Sequence, residues 1–175
     1  VLVLDSPVLS CADWSRLKSA FGKAVAEIDC TYPVDSGADG LRAAIARIRG
    51  LAEQAVRAGQ SELFLTDENM GPDRMAIAMV LAAAAVHTHL VRKGLRSYAS
   101  VNVRSAECLD THYFAVLIGV GATTVNAYLA EASIADRHAR GLFGDMDIDS
   151  CVARYRTAVD EGLLKIMSKM GIAVI

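Results

Sequence analysis

No two cysteines in this chain stand close enough to work together. Cys11, Cys30, Cys108 and Cys151 are scattered, with no CxxC pair among them. That spacing argues against a zinc site or a disulfide framework, and four reduced cytosolic thiols are the plain reading. Long apolar runs are missing too. The longest, Met75 to Val86, falls short of the roughly 20 residues that a bilayer-spanning helix needs. No basic stretch followed by an apolar segment is visible near Val1, so no signal peptide is read. Charge of one sign is lacking as well, with 18 basic residues mixed among 20 acidic ones for a net −2. Such a balance argues against nucleic acid or a membrane surface as the partner. Internal repeats and low-complexity tracts are absent.

What is present is apolar and ordered. The chain has 175 residues, 53% of them hydrophobic, and a mean hydropathy of +0.32. That length fits one core, and the surplus of apolar surface points to cover by other domains or subunits. The sequence opens at Val1 and stops in the apolar run Ile172 to Ile175, read as a strand. A strand needs partners for its backbone groups, so these ends read as those of a fragment.

Strands and helices alternate along the chain. Asp5-Ser6-Pro7 marks a turn, and Ser10 is placed to cap a helix over Ala12 to Phe21, with Trp14, Leu17 and Phe21 on one face. Val25 to Ile28 reads as a short buried strand, and Gly37 to Gly40 as a loop. Leu41 to Ala58 is an amphipathic helix in which Leu41, Ala44, Ile45, Ile48, Ala52 and Val56 recur at helical spacing, stopped by Gly59. Glu62 to Thr66 is a strand. Pro72 and Asp73 are expected to open a long helix reaching about Lys93, ended by Gly94. Tyr98 to Val103 is a third strand, and a helix starts near Thr111 and runs through Ile118. Another is expected from about Thr124 to His138, and a last one from about Ser150 to Met170, after the loop Gly141 to Asp149. This order predicts an α/β fold with a parallel sheet and crossover helices.

Chemistry-capable residues crowd into Val86 to Tyr128, without making a self-contained site. His87 and His89 lie two residues apart on a helix, about 200° around its axis, whereas metal-binding pairs sit four apart. Structural histidines are the better reading. Gly119-Val120-Gly121 follows a helix rather than a strand and has Thr124 where a dinucleotide fingerprint needs its third glycine. Close backbone packing at a turn accounts for it. Cys108, Asp110 and His112 are near in sequence, which is not geometry, and Cys108 reads as a small buried hydrophobe. Asp67-Glu68, at the end of the ELFLT strand, is better placed, because open α/β sheets bind ligands beyond the carboxyl ends of their strands. Capping or surface solvation is nevertheless the expected role. No catalytic, cofactor-binding or metal-binding residue is assigned.

Five blocks carry a resemblance that periodicity does not. They are LDSPVLS (Leu4 to Ser10), IDCTYPV (Ile28 to Val34), AVHTHLVRKGLR (Ala85 to Arg96), SAECLDTHYFAVLIGVGATTVNAYLAEA (Ser105 to Ala132) and YRTAVDEGLLKIMSKMGIAVI (Tyr155 to Ile175). Together they resemble the large chain of glutamate synthase along the whole sequence, in the bacterial NADPH-dependent form more than the ferredoxin-dependent one. The resemblance places residues 1–145 in the later part of the central, connecting domain. Residues 146–175 become the start of the FMN-binding synthase domain, a (β/α)8 barrel whose first strand begins near Ile172. It implies an oxidoreductase that makes glutamate from glutamine and 2-oxoglutarate in the cytoplasm. FMN and a 3Fe-4S cluster belong to the parent chain, with FAD and NADPH on a small subunit. The implied partners are that subunit and the remaining amidotransferase and FMN domains. This segment would link the two sites and help to form the ammonia tunnel between them, inactive alone and without bound cofactor. Some relatives carry His where Thr88 stands and Pro where Ala127 stands, which bears on no chemistry. Two rivals remain: a free-standing α/β interaction or scaffold domain, and a small nucleotide-binding α/β protein.

Overall fold

Ser10 begins the first helix as its position predicts. The Asp13 N–H donates to Ser10 Oγ at 3.0 Å, and the Ser10 N–H reaches back to Asp13 Oδ2 at 3.3 Å. This reciprocal cap satisfies two otherwise orphaned donors and contributes about 1 kcal/mol. In the computed structural model, which describes residues 3–175, the chain runs through β1 (Val8–Leu9), α1 (Cys11–Phe21), β2 (Val25–Asp29), β3 (Thr31–Pro33) and α2 (Gly37–Arg57). It continues through β4 (Glu62–Thr66), β5 (Arg74–Ala76), α3 (Met79–Arg92), β6 (Ser100–Arg104) and α4 (Thr111–Gly119). β7 (Thr124–Asn126), α5 (Tyr128–Ala139) and α6 (Ile148–Met170) complete it. Five strands form one sheet in the order β1-β7-β6-β4-β2, every pair parallel. The α/β class with a parallel sheet and crossover helices is therefore what the chain adopts.

The two faces of the sheet are covered unequally. On one, Val8, Leu63, Leu65, Val101, Val103 and Val125 meet buried residues of α2, α3, α4, α5 and α6 in the main core. On the other, Trp14 and Leu17 of α1 pack on Leu9 and Phe64 in a smaller cluster. Trp14 and Phe64 meet edge to face with centroids 4.6 Å apart.

Several boundaries differ from the sequence reading, each for a physical reason. Gly37 to Gly40, expected as a loop, is the first turn of α2, where Asp39 suits the positive end of the helix dipole. Pro72 and Asp73 do not open a helix. Arg74 to Ala76 instead form β5, antiparallel to β3, and α3 starts only at Met79. The cause is tertiary: Arg74 Nη2 pairs with Asp29 Oδ2 at 3.0 Å, and its Nε donates to Thr31 Oγ1 at 2.7 Å. Tyr98 lies in a 3-10 turn, so the third expected strand begins at Ser100. Thr124 to Asn126, expected as helix, form the strand β7, and β1, its partner, was not anticipated. β2 is an edge strand in which only Ile28 is buried, rather than a buried one. Residues 172–175, read as a strand, belong to no described strand and pair with none.

Candidate functional site

In an open parallel sheet the natural ligand crevice lies where neighbouring strands send their helices to opposite faces. Here that place is the carboxyl edge of β1 and β7. The helix after β1 covers one face, while Ala130 of α5, after β7, joins the core on the other. The crevice is filled by the protein itself. Asn126 Nδ2 donates to the Leu9 carbonyl at 2.9 Å, and its Oδ1 accepts from Arg104 Nη1 at 2.9 Å. Arg104 Nε lies 2.8 Å from Glu68 Oε2 as an ion pair. The guanidinium also stacks between Tyr128 and Trp14, 5.0 and 5.9 Å from the ring centroids. Glu131 Oε1 accepts the Cys11 N–H at 2.8 Å, closing the first turn of α1 against α5. One chain of contacts thus crosses the sheet from β4 through β6 and β7 to β1.

Asp67 lies beneath this layer. Its position at the end of β4 is the one expected, but its role differs from capping or surface solvation. It is fully buried, and its carboxylate accepts the Ala106 N–H at 2.9 Å, fastening the β6–α4 loop. Burial pushes its pKa up, with the Ala106 and Tyr128 hydrogen bonds opposing. Burial also raises the Tyr128 hydroxyl, with Asp67 adding to it. Glu68 is exposed and paired with Arg104.

The remaining sequence candidates are kept apart by the fold. His89 Nε2 meets Glu53 Oε2 at 2.7 Å, strapping α3 to α2. His87 points elsewhere, against Arg96 at 3.0 Å. Cys108 is buried, and desolvation raises its thiol far above the range of a nucleophile. Asp110 is spent on capping α4, where its Oδ1 accepts the Tyr113 N–H at 3.0 Å. Cys30, also buried, is pushed up to about 12. Cys11 is raised by burial and by Glu131. Among the described residues no group of three or more His, Cys, Asp or Glu is placed to hold a metal. No helix among them is long and apolar enough to cross a membrane.

Asn126, Glu131 and Tyr128 were not singled out in sequence. Their roles depend on Thr124 to Asn126 being a strand, and the alternation Thr-Val-Asn was the one available signal. What the assembled edge does chemically is hold four strands in register. Glu68, Arg104 and Glu131 each have a partner within it, and Cys11 and Glu131 border an open cleft of about 820 Å3 between α1, α5 and α6.

Comparison with known proteins agrees with the resemblance read from the blocks. Residues 1–175 match the family described as glutamate synthase central domain. The chain is 59% identical over its whole length to the large chain of glutamate synthase [NADPH] from Azospirillum brasilense, of which it covers 12%. It is 41% identical to the corresponding chain from Bacillus subtilis, over 71% of this sequence and 8% of that one. It is 34% identical to the chloroplastic ferredoxin-dependent glutamate synthase of Spinacia oleracea, over 99% of this sequence and 12% of that one. The chain therefore spans about an eighth or less of the length of these relatives. By its match from first residue to last, it belongs to the glutamate synthase central domain family.

Proposed function

We propose that this chain serves as the connecting domain of a glutamate synthase large chain, an oxidoreductase of the NADPH-dependent bacterial type. The observation that carries the reading is the 59% identity with such a large chain across all 175 residues. In this reading the parent enzyme converts glutamine and 2-oxoglutarate to glutamate. FMN and an iron–sulfur cluster sit in a following barrel domain, and FAD and NADPH on a small subunit. Residues 146–175 lead into that barrel, so α6 is the joint between the two units. The segment itself contributes structure rather than chemistry: it joins the amidotransferase and synthase sites and forms part of the wall of the ammonia tunnel. The crevice at the carboxyl edge supports this, since Asn126, Arg104, Glu68 and Glu131 spend their polar groups on joining β1, β6, β7 and α1 rather than on a ligand.

The test is made in the large chain that carries this segment, assembled with its small subunit. Glutamate formation is measured with glutamine and, separately, with saturating ammonia. Asn126→Ala, which loosens the joint between β1, β6 and β7, is expected to cut the glutamine-dependent rate several-fold more than the ammonia-dependent rate. Equal losses in both assays would overturn the tunnel role.

A further inference from the structure

The amino-terminal edge of the sheet has an open cleft of about 650 Å3, lined in part by Pro7, Arg96, Gly119, Gly121 and Thr123. Beside it the two sequence motifs that resembled a metal pair and a phosphate loop come together. Arg96 Nε donates to His87 Nδ1 at 3.0 Å, and Arg96 Nη2 donates to the Gly121 carbonyl at 2.9 Å. The third guanidinium nitrogen donates to the Ala99 carbonyl. Gly121 has φ +110°, and a Cβ there would lie 2.2 Å from His87 Nδ1, so the imidazole ring rests directly against the turn.

A guanidinium offers donors only and stays charged, so the nitrogen it addresses must be an unprotonated acceptor. His87 is therefore neutral, with its proton on Nε2. A second proton on Nδ1 would set N–H against N–H and cation against cation at 3.0 Å.

We propose that His87, Arg96 and the Gly121 turn form an acid-released latch. With His87 neutral, one guanidinium fastens the α4–β7 turn to α3 and to Ala99. On protonation of His87 that fastening is lost, the turn loosens and the amino-edge cleft widens.

The surroundings favour the neutral ring. Burial, and then Arg96, hold the His87 pKa below its ordinary 6.5. From α2, Arg49 and Glu53 are engaged with the neighbouring His89. α4 carries no charged side chain, its one titratable ring other than Tyr113 being His112 at the far end, and the charge of β6 is Arg104 at the opposite edge of the sheet. Along the cleft the one carboxylate side chain is Asp5. A depressed histidine pKa means that the folded state binds fewer protons than the unfolded one. The latch contributes fully above pH 6.5, and its contribution is lost as pH falls below 6.5.

The test is an NMR titration of the chain from pH 8 to 5, following the His87 ring and the protection factor of the Thr123 amide. That amide donates to the Val101 carbonyl at 2.7 Å and reports on the turn. His87 is expected to titrate below 6.5, with Thr123 protection falling about tenfold in step. His87→Asn, which keeps an acceptor oxygen without a titrating group, is expected to hold that protection constant down to pH 5. A His87 that titrates at or above 6.5, or wild-type protection that stays flat, overturns the latch. The wild-type titration decides alone if the variant does not fold.

Discussion

The two faces of the central sheet solve the same packing problem by different means. On the face covered by five helices, the inward strand positions are Val, Leu, Ile28 and Ala26, and cohesion comes from apolar area removed from water. On the face where α1 packs, Leu9 and Phe64 share the surface with Glu62, Asn102, Thr124, Arg104 and Asn126. These side chains form rows. Thr124 Oγ1 donates to Asn102 Oδ1 at 2.7 Å, and Asn102 Nδ2 donates to Glu62 Oε2 at 2.9 Å, all three buried. A hydrophobic face tolerates small slips of one strand past the next, because one aliphatic contact is much like another. A hydrogen-bonded row does not, since a slip leaves buried donors and acceptors without partners. The apolar face supplies stability and the polar face supplies register.

This division is open to direct attack. Leu65→Ala removes a fully buried side chain from the apolar face and is expected to cost about 3–4 kcal/mol in equilibrium denaturation. Asn102→Ala on the polar face leaves the Glu62 carboxylate and the Thr124 hydroxyl buried and unpaired. The expected cost is smaller, about 2–3 kcal/mol, but the damage is of a different kind. Amide exchange in β7 should rise out of proportion to the loss of stability, because β7 is three residues long and the row ties it to β6. A uniform rise across all strands in both variants would break the distinction between the faces.

The same contrast explains what the sequence disclosed. Helix α2 was legible from Leu41 to Val56 because its apolar spacing is long and regular, and β4 was legible to the residue because ELFLT is buried throughout. The polar face hid its strands. Thr124-Val125-Asn126 has one apolar residue in three, so the stretch was absorbed into the following helix, and β1, at two residues, had no pattern of its own. β5 was lost for a related reason: Arg74 is fixed by Asp29 and Thr31, which are 45 and 43 residues away in sequence. Of the candidate site, the position of Asp67 beyond a strand end was readable. The Arg104–Asn126 link was not, because it exists only once β6 and β7 are neighbours. His87 and His89 were rightly separated by helix geometry, but nothing local told that one would meet Glu53 and the other Arg96.

The smallest expected effect lies at Asp67, at the carboxyl edge where the two faces end. Its carboxylate is fully buried and its pKa is raised above the ordinary 3.8, so the folded state holds its proton to higher pH than the unfolded chain does. Stability attributable to this group therefore falls as pH rises from 3.8 through the raised value, and that loss is complete once Asp67 is ionised. Asp67→Asn keeps a side-chain oxygen for the Ala106 N–H and removes the buried charge. At pH 7 the variant is expected to match the wild type or exceed it by up to about 1 kcal/mol, with a flatter stability profile on the acid side. Denaturant titrations at several pH values read both quantities. If Asp67→Asn instead weakens the fold at neutral pH, the charge itself is holding the edge together, and the polar face contributes stability as well as register.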